Sequence, residues 1–174
     1  FPIYNWDYLE SHDYGWWRAR LRHADKFYHA FRIDHVLGFF RIWTIPSVHS
    51  EGLLGYFKPS IYLSVNELAS MGFDRGRVRW LSEPHIPGQR LNDLFGMRSI
   101  EIIGRCFERL GEEDLYLFKQ EIRGERDILD LPLMPDEKDQ LLSMFRDRAL
   151  IAVDEGLYSP SWNFRDCWRY HIIG

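Results

Sequence analysis

The sequence predicts an α/β fold in two parts, a helix-and-strand portion followed by a small mixed α and β unit. Three observations lead to that reading. Residues 13–29 place apolar side chains at the helical period and run directly into an alternating segment at residues 30–34. A second helical pattern opens at Pro135. Residues 149–162 then read as two short strands around a turn at Val153-Asp154-Glu155-Gly156.

The segment DYGWWRARLRHADKFYH carries Trp17, Leu21, Ala24 and Tyr28 at steps of four, three and four, which is one face of a helix. Asp13 is expected to accept from the free amides of its first turn. The apolar stripe needs something to pack on, most simply the strand that follows. In that strand, AFRID from Ala30 to Asp34, Phe31 and Ile33 share one face while Arg32 and Asp34 share the other. A cation and a carboxylate therefore point the same way. On its own the pattern reads more readily as an ion pair on a solvated sheet face than as a site.

Beyond Pro59, Gly72, Gly76, Pro84, Pro87 and Gly88 punctuate a region without sustained periodicity, which reads as a connector. The expected division lies near residue 76, giving portions 1–76 and 77–174. In the second portion Ile100, Ile103, Phe107 and Leu110 predict a helix ending at Gly111, and LYLFK and RDILDL are strand candidates. The helix from Pro135 has Asp136 and Glu137 at its positive end and Leu141, Leu142 and Phe145 on the face to be buried.

Composition narrows the function classes. The 174 residues are 45% hydrophobic and 28% charged with a formal net charge of -4, as in a folded, soluble protein. There is no long Lys/Arg block, so neither nucleic acid nor an anionic membrane is an expected partner. No apolar run approaches the roughly 18 to 20 residues of a membrane span. Cys106 and Cys167 are the two cysteines, too few for a disulfide framework, and a reducing, cytoplasmic setting is expected. The chain begins at Phe1 without a signal-like segment, which reads as an internal piece of a longer protein. HExxH, CxxC, GxGxxG after a strand and the P-loop are all lacking, so no metal or cofactor is expected.

The text around AFRID changes the weight of Arg32 and Asp34. FPIYNWDYL, then a helix containing WW, then FRIDHVLGFFRIWTIP, in that order and spacing, resembles the 4-alpha-glucanotransferases of the amylomaltase or disproportionating-enzyme family, glycoside hydrolase family 77. The resemblance is dense from Phe1 to about Pro46 and continues through EGLLGYFKP. LYLFKQEIRGERDILDLPL, FRDRALI and YSPSWNFRD are similar to an insert that some bacterial members carry between the nucleophile strand and the acid-bearing strand.

The resemblance implies a catalytic (β/α)8 barrel. Such a barrel takes about 250 residues, so residues 1–76 would form part of it, including the nucleophile strand, and residues 77–174 an inserted α+β subdomain. By motif match Asp34 is the nucleophile, with Arg32 and His35 beside it in the donor-sugar subsite. Tyr4 and Trp43 are sugar-binding candidates. Trp6, Phe39 and Phe40 are aromatic walls or core. A retaining transfer needs an ionised carboxylate to attack the anomeric carbon, and a guanidinium lowers that carboxylate's pKa and orients it. The implied partners are α-1,4-glucans and malto-oligosaccharides.

The chain also departs from the family text. The Trp-Gly pair expected just upstream of the Pro-x-Tyr-x-Trp run is missing from this sequence, and Thr44 stands where Glu is frequent. The Glu-Asp-Leu-Gly motif with the general acid/base is not present; Val153-Asp154-Glu155-Gly156 has the two acids in the opposite order, in a hairpin turn. Retaining chemistry uses two carboxylates about 5 to 5.5 Å apart, so this chain is expected to be inactive by itself. The reading that competes with an enzyme fragment is a noncatalytic glucan-binding or protein-interaction module.

Overall fold

A computed structural model describes residues 4–34, 39 and 41–161. The chain divides into two compact units, residues 1–42 and 43–174.

Among its described residues the first unit holds two α-helices. In α1 (Trp6–Ser11) the Asn5 side chain accepts from the Tyr8 amide at 3.1 Å and Leu9 is buried. The helix α2 (Gly15–Asp25) starts one residue later than an Asp13 cap would require, with Tyr14 in the cap position. Asp13 and Tyr14 both have φ of +51°, so the backbone turns through the left-handed region before the helix begins. The Asp13 carboxylate instead takes Arg18 at 2.8 Å. The apolar stripe is where its spacing places it. Trp17, Leu21 and Ala24 are half-buried on a helix whose other residues are exposed, and Tyr28 lies beyond the helix end, exposed.

Residues 30–34 do not form the expected strand; they are irregular and exposed. A parallel barrel strand is held by hydrogen-bonded neighbours on both sides. Among the described residues none pairs with Ala30 to Asp34.

Among the described residues the second unit contains three small sheets. In one, β1 (Ile42–Thr44) pairs with β2 (Tyr56–Lys58). In the next, β3 (Leu63–Ser64), β8 (Leu157–Pro160) and β7 (Leu150–Asp154) lie in the order β3-β8-β7, all antiparallel. The third has β4 (Ile86–Pro87), β6 (Leu115–Phe118) and β5 (Phe107–Arg109) in the order β4-β6-β5, also antiparallel. The β7–β8 hairpin is the expected one, with Gly156 at φ +67° completing the turn.

The expected connector is helical. It contains α3 (Val65–Ser70), α4 (Arg75–Ser82) and α5 (Gly88–Phe95). Each has at most eight residues, too short to sustain a period across several turns. Their start signals are nonetheless physical. Ser64 and Glu67 form a reciprocal capping box, and the Asp74 carboxylate accepts from the Arg77 amide at 2.7 Å.

Two further expectations are corrected. The helix α6 (Ser99–Cys106) stops before Phe107, which opens β5, and it buries Ile102 and Cys106 while Ile100 is exposed. RDILDL is not a strand but α7 (Glu125–Leu129), because Asp127 accepts from the amides of Arg123 and Gly124 at 2.8 and 3.0 Å and stabilises a helix start. The final helix, α8 (Pro135–Arg146), buries Leu141, Leu142, Met144 and Phe145.

Among the described residues two apolar clusters hold this unit. The larger joins Leu54, Leu91, Ile102, Ile128, Leu141 and Phe145 with their neighbours, and the smaller joins Leu68, Val78, Leu81, Ala149 and Leu150. The strand β7 connects them by its pleat, since Leu150 enters the smaller cluster and Ile151 the larger.

Candidate functional site

Arg32 and Asp34 come together, although the strand whose alternation was to place them on one face does not form. Nε of Arg32 lies 2.8 Å from Oδ1 of Asp34, with the side chains 88% and 78% exposed. An exposed pair of this kind adds little to stability. What it fixes is the orientation of the carboxylate, and it leaves that group open to an incoming molecule. His35 lies outside the described residues.

Tyr4 belongs to an aromatic cluster in the same unit. Its ring centroid is 5.2 Å from Trp6, 5.5 Å from Trp17, 6.2 Å from Trp16 and 6.3 Å from Phe39. The WW pair in α2 is T-shaped at 5.1 Å, so the two indoles present different faces. Tyr4 is 42% exposed and Trp16 49%. The cluster therefore offers open ring surface of the kind on which the apolar faces of a sugar stack, as well as packing α1 and α2 together.

Trp43, in the second unit, is half-buried on β1. Its indole Nε1–H donates to the Gly52 carbonyl at 3.0 Å, and Phe57 meets it edge-on at 4.9 Å. The turn Gly52–Leu54 and Gly55 wrap the indole edge closely enough that a Cβ on Gly55 would sit 2.7 Å from Cε2 of Trp43. Only glycine fits there. The text EGLLG is thus shaped to hold Trp43.

Sequence reasoning missed the most buried charge among the described residues. Glu125, at the first position of α7, has no solvent exposure. Its Oε2 accepts from the Ser50 amide at 2.8 Å, the Glu51 amide at 3.0 Å and the Ser50 hydroxyl at 3.2 Å, and its Oε1 accepts from Nε of Arg146 at 2.5 Å. Arg146 also reaches Glu51 at 3.2 Å. Burial pushes the Glu125 carboxyl up, but the hydrogen bond from Arg146, those from the two amides and the guanidinium charge outweigh it and hold it below its ordinary 4.5. No periodicity marks such a residue, because its backbone partners lie 75 and 74 positions away in a loop and its guanidinium partner 21 positions away at the end of α8.

His49 sits 3.9 Å from that carboxylate, and its buried Nδ1 has no hydrogen-bond partner. Burial lowers its pKa below 6.5, with Glu125 opposing and Arg148 and Arg146 assisting. A pH dependence follows from the two groups. In the unfolded chain His49 takes a proton near its ordinary value while the folded form resists, so stability declines as pH falls below about 6.5. Glu125, depressed in the folded state, contributes stability above pH 4.5 that is lost as pH falls through its folded value. Urea midpoints measured from about pH 8 to about pH 3 should fall in two stages. His49→Gln removes the upper stage and leaves the lower.

Among the described residues no group of three or more His, Cys, Asp or Glu side chains is placed to hold a metal ion, and no helix is long and apolar enough to cross a membrane.

The family model described as 4-alpha-glucanotransferase matches residues 1–146. A 4-alpha-glucanotransferase of Oryza sativa subsp. japonica is 42% identical over 132 residues, covering 74% of this chain and 13% of the relative. One from Aquifex aeolicus is 31% identical over 216 aligned positions, covering 98% of this chain and 43% of the relative. One from Chlamydia pneumoniae is 55% identical over 42 residues, covering 24% of this chain and 8% of the relative. The chain thus spans less than half the length of these relatives. No solved structure matches it.

Proposed function

The chain belongs to the 4-alpha-glucanotransferase family, glycoside hydrolase family 77, and from that membership we propose that the full-length protein moves α-1,4-glucan segments between malto-oligosaccharides by retaining double displacement. Asp34 attacks the anomeric carbon of the donor, forming a carboxylate–C1 bond as the glycosidic C1–O4 bond breaks. The departing 4-oxygen takes a proton from a general acid. An acceptor 4-hydroxyl then attacks C1, returns its proton to that same residue and frees Asp34.

Arg32 aims Asp34, a role supported by their 2.8 Å contact. His35 donates to donor hydroxyls, and Tyr4 and Trp43 stack on glucose rings. Residues 30–34 become a strand of a (β/α)8 barrel when neighbouring barrel strands supply their hydrogen bonds, with residues 77–174 an inserted subdomain. Neither acid of the family's Glu-Asp-Leu-Gly motif has a counterpart in this sequence. Asp154 ends β7 and Glu155 opens the turn to β8, where the Glu155 amide donates to the Asp154 carboxylate. The 174-residue chain alone is therefore inactive.

The observation that carries this reading is the oriented, accessible Arg32–Asp34 pair inside the Arg-Ile-Asp-His text of a chain matched to the family over residues 1–146. It is tested by incubating the folded full-length protein with maltotriose and following products by chromatography. Release of glucose together with longer chains is expected. Maltotriose bound without turnover would overturn it in favour of a noncatalytic glucan-binding module.

A further inference from the structure

The buried carboxylate of Glu125 is costly unless it performs a task that apolar packing does not. A charge with no solvent exposure loses its hydration, and a hydrophobic residue of like volume at such a place is often as stable or more so. Apolar contact, however, is non-directional. A carboxylate oxygen that accepts from two consecutive amides fixes both the position and the rotation of the peptide between them.

That peptide joins Ser50 to Glu51, and the next residue is the one whose carbonyl receives the Trp43 indole. The loop is also held upstream. The Arg126 amide donates to the Val48 carbonyl at 3.0 Å, and Gly124 is flush against Val48, so that a Cβ there would strike the carbonyl oxygen. Downstream, Leu54 is buried in the larger core. The Gly52 carbonyl is thus fixed from both sides by α7 and α8, elements remote in sequence from Trp43.

We propose that Glu125, locked by Arg146, is a positioning residue for Trp43, setting the indole's orientation through the His49–Gly52 loop so that the ring is presented to a glucose unit. The proposal rests on the glucanotransferase reading for the ring's ligand, while the clamp itself does not. Glu125 touches no substrate; it acts through the loop.

The test uses Glu125→Gln in the full-length protein with two readouts. Hydrogen exchange at the amides of Ser50 and Glu51 should quicken by about tenfold while the α8 amides are unchanged. For maltotriose, KM should rise about fivefold with kcat within about twofold, since an interaction common to ground and transition states is weakened. In a Trp43→Phe background the KM effect of Glu125→Gln should vanish, because residues acting through one contact are not additive. Gly124→Ala, which pushes on Val48 without touching a charge, should reproduce the KM rise if the glutamine variant folds poorly.

Unchanged exchange at Ser50 and Glu51 overturns the clamp. Quickened exchange with unchanged KM, or a KM effect that persists without Trp43, overturns the positioning role. A wild-type protein with quickened exchange on substitution but no disproportionation overturns the glucanotransferase reading and the role at Trp43, while leaving the clamp standing, so the two failures are told apart.

Discussion

Under the proposed mechanism, Asp34→Asn in the full-length protein is expected to lower maltotriose disproportionation by roughly 10⁴-fold or more, the scale on which loss of a covalent nucleophile is felt. The carboxamide has nearly the same shape and can still accept from Arg32, but it cannot form the ester bond to C1. Stability is expected to stay within about 0.5 kcal/mol, because the Asp34 side chain is 78% exposed and its partner 88%. Thermal unfolding beside the chromatographic assay separates the two effects. An equal loss of activity with a collapsed melting transition would put Asp34 in the fold rather than in the chemistry.

The largest stability effect is expected at the other charge pair. Arg146→Met leaves Glu125 fully buried with its Oε1 unpaired, and removing one partner of a buried pair costs about 3 to 5 kcal/mol. Urea unfolding should show a lower midpoint at nearly constant slope. Adding Glu125→Leu should recover part of that loss, since the stranded charge goes with it. Recovery is incomplete, because the amides of Ser50 and Glu51 lose their acceptor, each at a cost of about 1 to 3 kcal/mol if no water reaches it. Full recovery by the double variant would mean the amides are satisfied by solvent and the clamp holds no loop.

How much was legible in the sequence follows from the range of each interaction. The helix α8 was readable because its cap chemistry at Pro135 and its buried face are local and twelve residues long. The β7–β8 hairpin was readable because Gly156 marks its turn. The stripe of α2 was placed rightly and its start wrongly, since two consecutive left-handed residues override an available aspartate cap. The short helices α3, α4 and α5 left only their caps as traces, and α7 was mistaken for a strand because Ile128 and Leu131 pack on the core from a helix and its trailing turn. At the site, Arg32 and Asp34 were legible as neighbours two residues apart. Glu125 was not, because the loop it binds is distant in sequence and a glutamate at a helix start looks like surface.

The family assignment came from ordered text rather than from any element. FRIDH, the WW helix and EGLLGYFKP lie at fixed spacing, and the family match over residues 1–146 spans all three. In the structure the last of these is the turn that holds Trp43, which gives that text a physical reason.

The most direct test of the account is to trap its covalent intermediate. Full-length protein is given an α-maltosyl fluoride donor without acceptor, quenched in acid during turnover, digested, and mapped by mass spectrometry. The account predicts added glycosyl mass on the peptide carrying Arg32 and Asp34, absent in Asp34→Asn. The same mass on a peptide that lacks Asp34 would contradict it.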